Sequence, residues 1–295
     1  MPWASRTREL CSKSPELTPF LGAMRVALGA AELSLFRFDP SWCARDRPTG
    51  APMLAGATLC VERPLAEELF ASLASALGEG KGAFGHAPLA KAVRTPSFSP
   101  VPLLEATVNH DARSIEETAG ALHIEPRALS ALAQLAATSL LQAARRALAP
   151  FPFEGTADGC PFCGAHPTLA EERGLERARR LRCGRCGADY GSLSLLCAYC
   201  GERDHDKIGE FFPDGALEKL CFVDVCSSCQ GYLKIERTLT AIAPSCVPLE
   251  DVATVELDLA ALGRGYTRPP EPAQRLHLKL RSIEGKSVNL RRLLR

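Results

Sequence analysis

The sequence predicts a multi-domain α+β chain: an α-helical N-terminal domain followed by two small modules, each closed by four cysteines. Three observations carry that prediction. Leucines recur at helical spacing through the first 150 residues, ten of the 13 cysteines lie between Cys160 and Cys246, and eight of those ten form Cys-x-x-Cys pairs. A chain of 295 residues suits about two domains at roughly 100–200 residues each. With 46% hydrophobic residues it can bury ordinary cores, which excludes wholesale disorder. Its net charge of +1 lacks the basic excess that marks most nucleic-acid proteins.

The helical domain is read over 1–152. Leu21 to Phe36, carrying Arg25 and Glu32, reads as an amphipathic helix. Pro64 to Leu77 sets Leu65, Leu69, Leu73 and Leu77 on one stripe, with Pro64 suited to a first turn. Ser114 and Glu117 have capping-box spacing ahead of Thr118–Leu122. Pro126 to Leu148 gives the longest helical signal, with Leu129, Leu132, Leu135 and Leu140 along one side and Arg145 and Arg146 complementing its carbonyl end. The stretches 46–56 and 95–102, rich in Pro and Gly, read as loops. The run from Gly78 to Gly82 is glycine-rich but lacks Walker spacing and follows a helix, so it reads as a helix-ending loop. No chemistry is visible in this half.

Pro150 to Gly159 breaks the helical pattern and marks the boundary. The first cysteine module spans 153–194 and the second 195–270. Within them Leu193–Leu196 is a small apolar run, Leu220–Val225 resembles a strand, and Asp251–Leu262 reads as a helix with Val252, Val255, Leu259 and Leu262 on its apolar face. The last segment, 271–295, carries seven Lys/Arg against two Glu and reads as a solvated basic tail, with a docking strip as the alternative.

Compartment decides what clustered cysteines mean. The N-terminus has no apolar run able to form a signal-peptide core, and no segment approaches the roughly 20 apolar residues that span a bilayer. A cytoplasmic location is expected. In that reducing pool, clustered cysteines hold metal or do redox chemistry more often than they pair as disulfides. Thirteen is also odd, so complete pairing within one chain is impossible.

The pairs stand in order: Cys160/Cys163, Cys183/Cys186, Cys197/Cys200 and Cys226/Cys229. Each is followed by a turn-prone residue: Gly164, Gly187, Gly201 and Gln230-Gly231. A two-residue gap lets both thiolates of a tight turn reach one ion, while the turn's amides point at the sulfurs. Glycine next in line suits the positive φ of such a turn. Nineteen residues separate the first pair from the second, ten the second from the third and 25 the third from the fourth, which matches two consecutive four-thiolate sites. An interleaved pairing would need crossed connections for which nothing in the sequence argues. Four thiolates in a tetrahedron suit Zn²⁺ or a single iron, and ligand identity alone does not separate them. Such a site is coordinatively closed, with no open position for hydrolysis. Cys221, in apolar company, reads as core. Cys246 reads as a loop thiol, and Cys11, Cys43 and Cys60 take no role. His205, flanked by acids, and His166, after the first knuckle, read as surface histidines rather than ligands.

The ordered series CPFCGAHP (160–167), LRCGRCGADY (181–190), LLCAYCGERDHDKIGEFF (195–212) and CSSCQGYLKI (226–235), with EDVATVELDL from Glu250 and Arg264-Gly-Tyr266, resembles the formate dehydrogenase accessory (FdhE) protein family. The resemblance is carried by about 160–268. Over 1–150 it rests on helical character and length. It implies an α-helical N-terminal domain followed by two rubredoxin-like or zinc-ribbon modules. It also implies a cytoplasmic, non-enzymatic maturation factor that binds the catalytic subunit of a respiratory formate dehydrogenase before export by the twin-arginine route, without membrane insertion. The eight knuckle cysteines would hold two ions, iron in rubredoxin fashion or zinc. Tyr190 stands where the family pattern has an aromatic residue, often Trp.

Two other readings address the same cysteines. A nucleic-acid-binding zinc ribbon would use Arg173, Arg177, Arg179, Arg180, Arg182 and Arg185, but residues 151–270 hold 13 basic against 18 acidic side chains, a net −5. A rubredoxin-like electron-transfer protein would use iron in the same four-thiolate sites. No Ser/His/Asp set, phosphate loop or dinucleotide fingerprint supports other catalysis.

Overall fold

The structure is a computed structural model, and it describes residues 1–33, 36–39, 41–43, 47–78, 87–149, 159–191, 196–212, 220–285 and 290. The chain forms two compact units: Met1–Arg47 with Leu54–Pro150 and Leu276–Arg295, and Pro48–Met53 with Phe151–Arg275.

In the first unit the chain runs through α1 (Pro2–Lys13), α2 (Thr18–Ala30), β1 (Phe36–Phe38), β2 (Thr58–Glu62), α3 (Arg63–Gly78), α4 (Ala87–Ala92), α5 (Pro100–Val108), α6 (Ala112–Ala121) and α7 (Pro126–Ala147). Helix α7 is the spine, packed by α2, α3, α5 and α6. Pro126 occupies its first turn, and the Glu125 side chain accepts the Ala128 N–H at 2.7 Å, satisfying one of the orphan donors of a helix start. Its leucines Leu129, Leu132, Leu135 and Leu140 are buried, and interspersed alanines let neighbouring helices approach closely. The α3 stripe of Leu65, Leu69, Leu73 and Leu77 is buried in full. At the end of α7, Arg146 reaches Glu32 and the Ala31 carbonyl, two groups at the C-terminal end of α2.

Local chemistry corrects three sequence expectations here. The helix expected to run on to Phe36 stops at Ala30, and Phe36 opens β1. Residues 100–102, expected as loop, begin α5, because proline at the first helical positions sacrifices only an N–H that has no partner anyway. The cap of α6 is Asp111 rather than Ser114: its carboxylate accepts the Ser114 N–H at 3.1 Å and the Ser114 hydroxyl at 2.6 Å, which places Ser114 inside the helix.

Among the described residues, the second unit holds one six-stranded sheet that runs through both four-cysteine modules. Its strands are β3 (Leu169–Arg173), β4 (Ala178–Arg182), β5 (Asp189–Gly191), β6 (Ile208–Phe211), β7 (Cys221–Cys226) and β8 (Gly231–Thr238), in the order β5-β4-β3-β8-β7-β6. Within each half the pairing is antiparallel. The halves join where β3 pairs β8 in parallel, with Leu169 opposite Lys234 and Arg173 opposite Thr238. Two short helices follow, α8 (Val247–Ala253) and α9 (Val255–Gly263), broken at Thr254. They replace the single helix expected over Asp251–Leu262, and the buried face is different. Leu257 and Ala261 pack on Cys221, Val223 and Tyr232, while Val255, Leu259 and Leu262 are exposed.

The chain then adds β9 (Lys279–Ile283) to the first unit, parallel to β2, in a sheet ordered β1-β2-β9. Thr58 lies opposite Lys279 and Glu62 opposite Ile283. Asn109, just past α5, brackets the incoming backbone: its Nδ2 donates to the Leu278 carbonyl at 2.8 Å and its Oδ1 accepts the Leu278 N–H at 2.9 Å. Glu105 accepts the Leu280 N–H at 2.5 Å. Leu276, Leu278 and Leu290 are buried, and Arg281 pairs with Asp39 at 2.9 Å. Within the segment read as a basic tail over 271–295, residues Lys279–Ile283 form a strand. Its alternating Leu276, Leu278 and Leu280 were the signal, outweighed by the charge count. The first unit is accordingly helical with a three-stranded sheet, not helical alone. Lys286, Arg291, Arg292 and Arg295, with 79–82, 150–158 and 193–195, lie outside the described residues.

Candidate metal centres

The eight knuckle cysteines gather into two groups, Cys160/Cys163/Cys183/Cys186 and Cys197/Cys200/Cys226/Cys229, with the sulfurs of each group within 4.8 Å of one another. Consecutive pairs meet, so the crossed pairing is absent. Three knuckles share one local construction. The N–H of the residue after the second cysteine donates to the carbonyl of the first: Gly164 to Cys160 at 2.8 Å, Gly187 to Cys183 at 2.8 Å and Gly201 to Cys197 at 3.0 Å. That turn needs a left-handed residue, and the three glycines have φ of 68°, 74° and 74°. In the fourth knuckle Gln230 takes φ 54° without being glycine, and Gly231 starts β8 at once.

The sheet brings the knuckles together. Pairing of β3 with β4 sets the first knuckle beside the second, and pairing of β7 with β8 closes the fourth knuckle as a tight hairpin turn. Across the first group, Sγ of Cys160 lies 3.5 Å from that of Cys186, and Cys163 3.5 Å from Cys183. Across the second, Cys197–Cys229 and Cys200–Cys226 are each 3.7 Å. A tetrahedron with metal–sulfur bonds of about 2.3 Å has edges of about 3.8 Å. The donor sets therefore fit two four-coordinate ions, and sulfur ligation is equally at home with zinc or with one iron.

Electrostatics point the same way. Burial pushes the Cys160 and Cys186 thiols well up, while hydrogen bonds from Cys160, Cys163 and Cys186 pull the Cys183 thiol well down. In the second group burial lifts Cys197 to about 11 and also raises Cys229. Burial works against ionisation of Cys226 too, but the Cys229 and Ser228 amides and the neighbouring thiols overcome it and lower its pKa. Four such sulfurs cannot all ionise side by side in an apolar setting unless a cation sits among them.

The two groups differ in access. All four sulfur-bearing residues of the first are buried, whereas Cys200 and Cys229 of the second are exposed. Behind each group lies a charge pair that the sequence reading missed. Buried Glu171 pairs with buried Arg182, and also accepts from Arg173 at 2.9 Å and from the Ile242 N–H at 3.2 Å. Buried Lys234 donates to Asp251 and Asp258, each at 2.7 Å, and Arg268 reaches the same two carboxylates at 2.6 and 2.8 Å. Asp258 also accepts the Tyr232 hydroxyl at 2.7 Å. Glu171 and Lys234 lie inside β3 and β8, Arg182 ends β4, and Asp251 and Asp258 lie inside α8 and α9, so in the sequence they show only as charged positions within strands and helices.

The two groups are also joined by side chains. Tyr199, inside the third knuckle, meets the His166 ring edge-to-face at 5.2 Å. His166 is half-buried, not a surface histidine, and burial lowers its pKa. His205 is the exposed one, 3.4 Å from Asp206 and outside either sulfur group. Cys221 is core, Cys246 is buried at the start of α8, and Tyr190 is buried beside the first group. Among the described residues, no helix is long and apolar enough to cross a membrane.

No family model matches the chain, and no curated protein matches it either. Among solved structures it resembles the crystal structure of the FdhE protein from Pseudomonas aeruginosa. The TM-score is 0.59, with 21% identity over 93% of this chain and 94% of that one. At that identity the likeness speaks to fold, and it spans both units: the chain adopts the fold of FdhE, in agreement with the family resemblance carried by its knuckles.

Proposed function

We propose that this protein is a cytoplasmic accessory factor for a respiratory formate dehydrogenase, binding the catalytic subunit before export and turning over no substrate of its own. The observation that carries the proposal is the convergence of eight cysteines into two closed four-sulfur groups within an FdhE-like fold. A closed Cys₄ site offers no open coordination position, so its contribution is folding and surface shape rather than hydrolysis. The first unit adds a groove of about 840 Å³ between the start of α3 and the start of α5, lined by Arg63, Glu67, Glu68, Arg94, Phe98 and Ser282. That groove suits a protein segment with mixed polar and apolar side chains.

The test is a pull-down of a formate dehydrogenase catalytic subunit by the full chain, paired with elemental analysis of the anaerobically purified protein. Cys226→Ala with Cys229→Ala is expected to lose one ion and the partner together. Retained co-purification in that variant defeats the proposal.

A rubredoxin-like electron-transfer role is the second reading, favoured by the exposure of Cys200 and Cys229. An iron spectrum that bleaches reversibly with a physiological donor supports it, and a colourless zinc-loaded protein excludes it. Nucleic-acid binding has less support. Of the arginines it would use, Arg173 and Arg180 both pair with Asp189 at 2.7 Å, Arg179 pairs with Asp224 at 2.6 Å, and Arg182 is buried on Glu171.

A further inference from the structure

The first four-sulfur group does more than close a ribbon. Two distant chain segments are bonded to its first knuckle. The Met53 N–H donates to the Pro161 carbonyl at 2.8 Å, and the Gln274 N–H donates to the Gly164 carbonyl at 2.9 Å. The fit is close: a Cβ on Gly164 would lie 2.3 Å from the Gln274 carbonyl oxygen and 3.3 Å from Pro52 Cγ. One on Gly159 would lie 2.4 Å from the Ala273 Cβ. The corresponding glycine of the third knuckle, Gly201, has nothing within 4 Å. Among the described residues, the fourth knuckle bonds the chain further back, through the Thr267 N–H on the Gln230 carbonyl at 2.8 Å.

These two segments are the ones that lead into β2 and β9. Met53 precedes Leu54, where the chain enters the helical unit, and Gln274 stands two residues before Leu276, where it enters again. Within that unit the strands meet at once: Gly56 N–H bonds the Leu276 carbonyl and Lys279 N–H bonds the Ala57 carbonyl, both at 2.8 Å. Parallel strands must arrive from the same side, and a shared anchor at one knuckle delivers them so.

We propose that metal loading of the Cys160/Cys163/Cys183/Cys186 group locks β9 onto β2, so that this ion controls the order of a strand in the other unit. Without the ion the knuckle cannot hold its turn, and Pro161 and Gly164 no longer present their carbonyls together. The chain between the end of α7 and β9 then behaves as one loop of about 130 residues instead of a link of about eight, which weakens closure on the order of a hundredfold. Ser282 of β9 lines the groove, and Glu284 just beyond β9 pairs with Arg63 on its wall. Any effect on partner binding rests on the proposed function; the coupling itself does not.

Amide hydrogen exchange on the full chain tests this, with α7 as the internal reference for a folded helical unit. Cys160→Ser with Cys163→Ser is expected to lower protection over 276–283 about a hundredfold and leave α7 protected. Cys226→Ser with Cys229→Ser is expected to change it by no more than a few-fold. Gln274→Pro removes the N–H that bonds the Gly164 carbonyl and leaves every knuckle residue in place, so it is expected to retain two ions by elemental analysis and still loosen β9. Unchanged β9 protection in a first-group variant that has lost its ion overturns the proposal. So does equal loss in both cysteine variants, or an unaffected β9 in Gln274→Pro. If the first-group variant also loses α7, chelation of the wild-type chain decides: β9 exchanging before α7 supports the coupling, and simultaneous exchange overturns it. Pull-down of the catalytic subunit plays no part in any of these outcomes, so failure of the partner proposal leaves the coupling testable.

Discussion

Tyr199 donates its phenolic hydrogen to the carbonyl oxygen of Tyr232 at 2.8 Å, tying the turn of the third knuckle to β8. The ring also rests against Gly231, where an added Cβ would come within 2.6 Å of Tyr199 Cδ2. A hydroxyl that could have faced solvent is thus spent on holding one knuckle to the strand that follows another. Tyr199→Phe is expected to keep both ions and lower unfolding free energy by about 1 kcal/mol, the usual net value of one such bond. Denaturant titration with metal analysis checks this. Loss of an ion in the variant would show that the hydroxyl holds the site itself rather than the packing behind it.

Lys234 is the cation of a buried cluster, with Asp251 and Asp258 each 2.7 Å from its ammonium. Lys234→Met fills the same space but leaves Arg268 alone against two carboxylates. Breaking one partner out of a buried ionic cluster costs about 3–5 kcal/mol, much more than the cluster contributes relative to an apolar replacement of the whole. Chemical denaturation should show that loss. A change under 1 kcal/mol would mean the carboxylates find water instead.

The same cluster gives the protein an acid limb. Burial of Asp251 works to raise its pKa, but Lys234 and Arg268 prevail and hold it below the ordinary carboxylate value of 3.8. A group with a lowered folded-state pKa stabilises the fold at pH values above its unfolded pKa, and that stabilisation disappears as pH falls through the folded value. The difference in unfolding free energy between wild type and Asp251→Asn is therefore expected to be constant near neutrality and to shrink below about pH 4. A difference that grows on acidification would reverse the assignment.

Much of this was legible in advance, and the reason is chemical. Cys-x-x-Cys turns are self-contained: the thiols, the two-residue gap and the following glycine all sit within five residues, so spacing alone paired Cys160/Cys163 with Cys183/Cys186. Helix α7 was legible for the same reason, since proline, leucine stripe and terminal arginines are local signals. What stayed hidden depends on partners far away in sequence. Strand β9 forms because β2 and Asn109 accept it, and Val255, Leu259 and Leu262 are exposed because Leu257 and Ala261 meet Tyr232 instead. Nor does periodicity reveal that Glu171 meets Arg182, or that one sheet runs through both ribbons by the β3–β8 pairing.

Exposure is expected to separate the two sulfur groups kinetically. Chelators and alkylating reagents reach exposed sulfurs first, and only the second group has them, at Cys200 and Cys229. Stepwise treatment with a chelator is expected to remove one ion quickly and the second far more slowly. Mass spectrometry of alkylated peptides should find Cys200 and Cys229 modified before Cys160 or Cys163. Release of both ions in a single phase would show that the shared sheet opens as one unit.

Asn109 offers the sharpest check on the C-terminal strand. Its side chain supplies both the donor and the acceptor for the backbone of Leu278, and a further bond to the Glu105 carbonyl at 3.1 Å fixes its orientation. Asn109→Ala leaves the Leu278 N–H and C=O without these partners at a point where the Leu276 and Leu278 side chains are buried. Two bonds of this kind are worth about 2 kcal/mol net. Stability of the helical unit is expected to fall by about that amount, with amides of 276–283 opening ahead of α7. Asn109→Asp keeps the acceptor and loses the donor, so it should fall between the two. If residues 276–283 were a solvated tail, neither substitution would register in unfolding, and a protease would cut there in the wild type as readily as in the variants.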